Sequence, residues 1–181
     1  MNETDIVQEL KKSNLAALET VWNENSKKIL NLAFRILSDR DAAEDALMDI
    51  FVSIPKAIHR FREESSLSTW LYRLTVNECL MRIRKSKRRD EIEKMRAWEI
   101  ETLSMGNAFE ETEMFDGELL ERALSELPAL QRSMLWLKDA EGIDIRSLAR
   151  IFEMPEGTLK SHLSRTRAKL RTQLHKEVYC A

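Results

Sequence analysis

Residues Asp144 to Leu174, DIRSLARIFEMPEGTLKSHLSRTRAKLRTQL, carry two helical patterns separated by a three-residue break, and few arrangements accommodate them. In the first, Ile145, Leu148, Ala149 and Phe152 fall at i, i+3, i+4 and i+7, one face of a helix. In the second, Leu159, Leu163, Thr166, Leu170 and Leu174 form a narrow stripe of the same period. Glu153, Met154 and Pro155 lie between them, and proline suits a first helical turn, where its missing N–H has no intrahelical partner. Asp144 can cap the first helix, and Glu156 suits the positive end of the second. The pair reads as a helix-turn-helix whose second helix would enter a DNA major groove. Lys160, Ser161, Ser164, Arg165, Lys169 and Arg171 lie off the apolar stripe, mixing long cations with short hydroxyls that suit phosphates and base edges. On this stretch alone, an ordinary solvated basic face remains the alternative.

Four glycines and three prolines in 181 residues, with few β-branched runs, predict an all-α chain. No apolar run approaches the length of a bilayer span and MNETDIVQEL has no signal-peptide pattern, so a cytoplasmic protein without membrane insertion is expected. Cys79 lies within a helical pattern and Cys180 beside the last residue, which suggests no disulfide framework. The net charge of −2 is unexpected for a DNA binder until the charges are located.

Asn14 is placed to cap a long pattern from Leu15 to Leu37, with a possible break near Asn23–Ser26. After a turn at Ser38–Arg40, Asp41 and Glu44 give a D-x-x-E start signal for a helix burying Ala43, Leu47, Ile50, Phe51, Ile54 and Ile58, interrupted by Pro55. Its other face presents Asp41, Glu44, Asp45 and Asp49, which allows a metal site, a solvated surface or a docking face for a basic partner. A polar break at 61–66 precedes a helix capped by Ser65 or Ser66 and containing Leu67, Trp70, Leu71, Leu74 and Leu80. There Phe61, Arg62, Trp70, Tyr72 and Arg73 interleave rings with cations, a composition that suits unstacked bases, although Trp70 reads better as a core anchor. The run Arg82–Arg89 contains no acid and favours an anionic partner.

Charge then reverses: eleven acids between Asp90 and Glu121 stand against Lys94 and Arg96 alone, with no sustained period. The expected organisation is two small helical domains, 1–90 and 118–181, joined by an acidic linker over 91–117. In the second, Leu120, Leu124 and Leu127 mark a short helix, and Pro128 opens another through Leu137. Basic surfaces and acidic connector nearly cancel, so DNA binding alone would be weak and a larger partner would supply the rest.

The segment Asp41–Arg89, with HRFREESSLSTWLYRLTVNECLMRIRKSKRR at its end, resembles region 2 of bacterial RNA polymerase sigma factors of the sigma-70 family, nearest to the extracytoplasmic-function (ECF) group. Ala123–Leu174 resembles region 4 of that group. The resemblance implies that Asp45, Met48 and Asp49 dock on the clamp coiled coil of the β′ subunit of core polymerase, with region 4 on the β flap. It implies that Arg62, Ser65, Ser66, Ser68, Trp70, Arg73 and Asn77, with Arg84 and Lys85, recognise and melt the −10 element of promoter DNA. Lys160, Ser161, Ser164 and Arg165 would read the −35 element, with Thr158, Arg167 and Arg171 on phosphates. An anti-sigma factor is the further partner implied, and no cofactor is expected. Glu63 stands where glycine is common in the family, Pro55 where tryptophan is frequent, Met48 where glutamine is common and His162 where arginine is usual.

Three rivals remain at this stage. A free-standing helix-turn-helix regulator leaves residues 61–89 unexplained, and a helical interaction module leaves both basic surfaces idle. An enzyme finds no support in His59, His162 and His175, which are scattered and join no nucleophile–base set or zinc-ligand spacing.

Overall fold

The structure, a computed structural model, describes residues 2–97, 120, 123–124 and 126–179. Among them are seven α-helices and no strand: α1 (Glu3–Lys11), α2 (Leu15–Leu37), α3 (Arg40–Ala57), α4 (Leu67–Ala97), α5 (Ala129–Asp139), α6 (Ile145–Ile151) and α7 (Glu156–Tyr179), with a 3-10 turn at Ile58–Arg60.

Local chemistry sets most helix ends. Asn14 accepts the Ala16 N–H at 3.0 Å at the start of α2, and Ser66 accepts the Thr69 N–H at 3.2 Å at the start of α4. Helix α2 runs unbroken through Asn23–Ser26, where Val21 and Ile29 are fully buried and hold the neighbouring turns in place. The start of α3 differs from the D-x-x-E expectation. Asp39 is the cap, accepting the Ala42 N–H at 2.8 Å, because Ser38 leaves α2 in a left-handed conformation (φ 55°) and the chain re-enters helix at once. Pro55 does not end α3: the helix runs on to Ala57 without the hydrogen bond that an amide at position 55 would have given. Helix α4 continues through Ala97 into the expected linker; positions 98–117 of that linker, and Cys180, lie outside the described residues.

The buried side chains form two clusters. One lies within the N-terminal module and gathers Ile6, Val7 and Leu10 of α1 with Val21, Phe51, Ile54, Phe61, Leu67, Trp70 and Leu71. The second joins both modules. Leu32 and Ile36 of α2, Ala43 and Ala46 of α3, and Tyr72, Val76 and Cys79 of α4 pack with Leu127, Met134, Leu137, Leu148, Ile151, Leu159 and Leu163. Helix α4 is therefore buried on two sides, which a search for one apolar stripe does not anticipate. Tyr72, read in sequence beside the cations, is 4% exposed within the shared core, and its hydroxyl donates to Glu141 at 3.2 Å.

Arg132 of α5 ties the modules together. Only 7% exposed, it donates through Nη2 to the Ile36 carbonyl at 3.3 Å and the Ser38 hydroxyl at 2.7 Å, and through Nε to the Arg35 carbonyl. It closes the carbonyl end of α2, where a cation is favoured by both hydrogen bonding and the helix dipole. Arg35 in turn lies over the Trp136 ring, 4.6 Å from its centroid.

Candidate nucleic-acid interface

The helix-turn-helix forms as its pattern predicts. Asp144 caps α6, accepting the Ser147 N–H at 2.9 Å and its hydroxyl at 2.6 Å. Glu153 turns the chain with φ 53°, and the Met154 N–H returns to the Ala149 carbonyl at 3.0 Å. Pro155 immediately precedes α7, its carbonyl accepting the Leu159 N–H at 3.0 Å. Leu159, Leu163 and Thr166 are buried, and Leu170 and Leu174 half-buried, so the stripe faces inward along its length. On α6, Leu148 and Phe152 are buried as expected; Ile151, outside the predicted stripe, is fully buried too because α6 also packs on α4.

Thr158, Lys160, Ser161, Ser164, Arg165, Lys169 and Arg171 are all exposed on α7. Arg167 is exposed as well but engaged: Nη2 and Nε grip Asp139 of α5 at 2.6 and 3.2 Å. Nη1 makes no contact with that carboxylate, so its N–H donors remain open to a phosphate. Lys160 lies only loosely near Glu156, at 3.9 Å, an exposed pair of little energetic weight.

A second site forms where loop 61–66 meets α4. A cleft of about 320 Å³ is lined by Arg60, Phe61, Arg62 and Glu64, by Ser65, Thr69, Trp70 and Arg73, and by Arg150 of α6. Phe61 and Trp70, whose ring centroids are 5.4 Å apart, form its floor and are otherwise buried, so Trp70 is anchor and wall at once. Arg60, Arg62 and Arg73 make no ion pair with the described residues and leave the cleft strongly positive. Arg150 donates to the Glu64 carbonyl across the module boundary. Of the residues expected here, Arg62, Ser65, Trp70 and Arg73 converge on the cleft, and Ser66 serves the helix cap. Ser68, Asn77, Arg84 and Lys85 are exposed along α4 and do not line it. Arg60 and Arg150 were not singled out in sequence; Arg60 lay one residue before the aromatic-basic stretch, whereas nothing local marks Arg150.

The acidic face of α3 is open. Asp45 is exposed, Met48 is 55% exposed and Val52, at the next position of the same i, i+3, i+7 row, is 75% exposed. Val52 extends the row, and its signal was an apolar residue on the polar face. Asp49 is paired with Arg82 of α4, itself held by Glu78 at 2.8 Å, which fixes the carboxylate while leaving its outer edge accessible. Among the described residues no cluster of three or more acids, histidines or cysteines could hold a metal ion.

The described residues thus combine an exposed basic face on the second helix of a helix-turn-helix, an arginine-aromatic cleft and an exposed acidic-apolar face on α3. Residues 21–89 match the family sigma-70 region 2, and residues 117–170 match sigma-70 region 4. The ECF RNA polymerase sigma factor SigM of Mycobacterium tuberculosis is 30% identical over 154 residues, covering 85% of this chain and 75% of that protein. The ECF RNA polymerase sigma-E factor of Escherichia coli K12 is 26% identical over 170 residues, covering 90% and 88% of the two chains. Among solved structures, the sigma factor RpoE of Bartonella quintana, in complex with the anti-sigma factor NepR, superposes with a TM-score of 0.68 at 25% identity, covering 87% of this chain and 96% of that one. CnrH, in complex with the cytosolic domain of CnrY, shares the fold with a TM-score of 0.67 at 17% identity, covering 96% of this chain and 97% of that one. The chain belongs to the ECF group of the sigma-70 family of RNA polymerase sigma factors.

Proposed function

We propose that this sigma factor works in the cytoplasm as a dissociable subunit, not an enzyme, that gives core RNA polymerase its promoter specificity. The carrying observation is the cleft at loop 61–66, where three arginines without ion-pair partners among the described residues surround a Phe61–Trp70 floor. Such a cleft suits a base drawn from the duplex: the rings supply a stacking surface and the cations hold flanking phosphates, offsetting a flipping cost of a few kcal/mol. A regulator that only binds duplex has no need of it. In this reading Arg62, Ser65, Trp70 and Arg73 capture the −10 strand, and Ser68, Asn77, Arg84 and Lys85 follow it along α4. The outer face of α7 reads the −35 element in the major groove. Asp45, Met48, Asp49 and Val52 take the β′ clamp coiled coil, and the C-terminal module takes the β flap. The solved complex of RpoE with the anti-sigma factor NepR supports a further expectation, that an anti-sigma factor restrains this chain until it is needed.

Transcription in vitro from candidate promoters, with core polymerase alone and with this protein added, tests the reading. Initiation should depend on the protein. Lys160→Ala with Arg165→Ala should cut −35-dependent initiation by about tenfold or more, the loss expected for base-edge contacts of about 1–3 kcal/mol, while core affinity is retained. Tight duplex binding by the isolated protein, without any gain in initiation, would instead establish a free-standing regulator.

A further inference from the structure

Both ends of the strand-capturing loop are held by α1, a helix outside the cleft itself. Phe61 and Leu67 bracket the loop, each 6% exposed, and both pack in one cluster with Ile6, Val7 and Leu10 of α1. A charged side chain near each end of α1 also reaches across. Glu3 Oε1 accepts the backbone N–H of Leu67 at 2.7 Å, and Lys11 Nζ donates to Glu63 Oε1 at 3.1 Å.

Each contact solves a specific physical problem. The first amides of α4 have no intrahelical acceptor. Ser66 takes that of Thr69 and Glu3 takes that of Leu67, so the turn carrying Trp70 is fixed from two directions. Glu63 has φ 57°, the left-handed region that glycine enters most readily. A carboxylate there, beside Arg62 and Glu64 in a loop meant for phosphates, would repel DNA; pairing with Lys11 turns it toward α1 and offsets its charge.

We propose that α1 is a splint for this loop, with Glu3 and Lys11 as positioning residues for promoter opening. The proposal rests on the reading of the cleft as the −10 strand site. The test uses the full chain with core polymerase on a promoter that the wild type opens, scoring permanganate reactivity of the −10 thymines, with core affinity measured in parallel.

Lys11→Ala should slow opening about two- to fivefold, the range an ion pair of this exposure supports, with core affinity unchanged. Glu3→Ala should slow opening comparably and Glu3→Gln should restore it, because the amide oxygen still accepts from Leu67. In a Glu63→Gly background the turn remains accessible and the carboxylate is gone, so Lys11→Ala should have no further effect. An equal loss in that background would overturn the splint, since Lys11 would then be acting on DNA or on the fold. Unchanged opening in both alanine variants would overturn it too. Arg62→Ala and Arg73→Ala separate the two levels: if they impair opening while the α1 variants do not, the splint alone fails. If they leave opening intact, the reading of the cleft fails and the proposal with it.

Discussion

Asp144 is exposed on the surface, yet one carboxylate governs the entry to α6 by accepting both the amide and the hydroxyl of Ser147. Those contacts, the Ser147 hydroxyl foremost, hold its pKa below the usual aspartate range. A carboxylate depressed in this way stabilises the fold above its unfolded pKa and loses that contribution as pH falls through the lower, folded value. Asp144→Ala should cost about 1 kcal/mol near neutrality, and urea melts of variant and wild type should converge as pH drops below about 4. Cys79 behaves oppositely: burial first, then the charge of Glu78, pushes its thiol up to about 12, so it is a core side chain without thiolate reactivity. Both positions were legible in sequence, the first by its place before a periodic run, the second by its place within one. Glu63 was not. Its departure from the family's glycine was visible, but Lys11, 52 positions earlier, is what accommodates it.

Helices were the most legible scale, because their stripes and caps are written within a few residues of one another. The stripe of α7 matches its burial from Leu159 to Leu174. Boundaries depended on subtler terms, as at Asp39, where a left-handed Ser38 moved the cap two residues ahead of the expected Asp41. The turn between α6 and α7 likewise holds a non-glycine residue, Glu153, at φ 53°. A left-handed conformation is costly for any residue with a Cβ, and Glu153 is exposed. Glu153→Gly should therefore stabilise the chain by about 0.5–1 kcal/mol, after glycine's greater unfolded-state entropy is counted. A thermal melt should show Tm raised by about 1–4 °C, with recognition of the −35 element unaltered; a lower Tm would contradict the assignment of strain.

Across the whole molecule, the two modules close on one another. The arrangement brings Arg150 to the rim of the Phe61–Trp70 cleft and Arg132 to the end of α2. One cost is visible at the seam: the Trp136 indole N–H is buried without a hydrogen-bond partner among the described residues, which opposes closure by about 1–3 kcal/mol. The closed arrangement thus depends on Arg132, whose charged hydrogen bonds carry roughly 1.5–3 kcal/mol. Arg132→Ala should shift the free protein toward separated modules, seen as a larger radius of gyration in small-angle scattering at unchanged helix content. An identical radius would show that the shared apolar core suffices without it.

The sequence by itself determined the helices from α2 to α7, the caps at Asn14, Ser66 and Asp144, the outward basic face of α7 and the acidic face of α3, because periodicity and capping act over three to seven residues; α1, capped by Asn2, was not read from it. Only the tertiary structure decided that Tyr72, Val76 and Cys79 face a second module, that Arg132 is buried and that Arg167 is engaged by Asp139. The physical reason is separation along the chain. Arg132 and its acceptors at Arg35, Ile36 and Ser38 are 94 to 97 positions apart. No local pattern distinguishes a cation destined for helix carbonyls from one destined for phosphate; the shape of the shared core makes that choice.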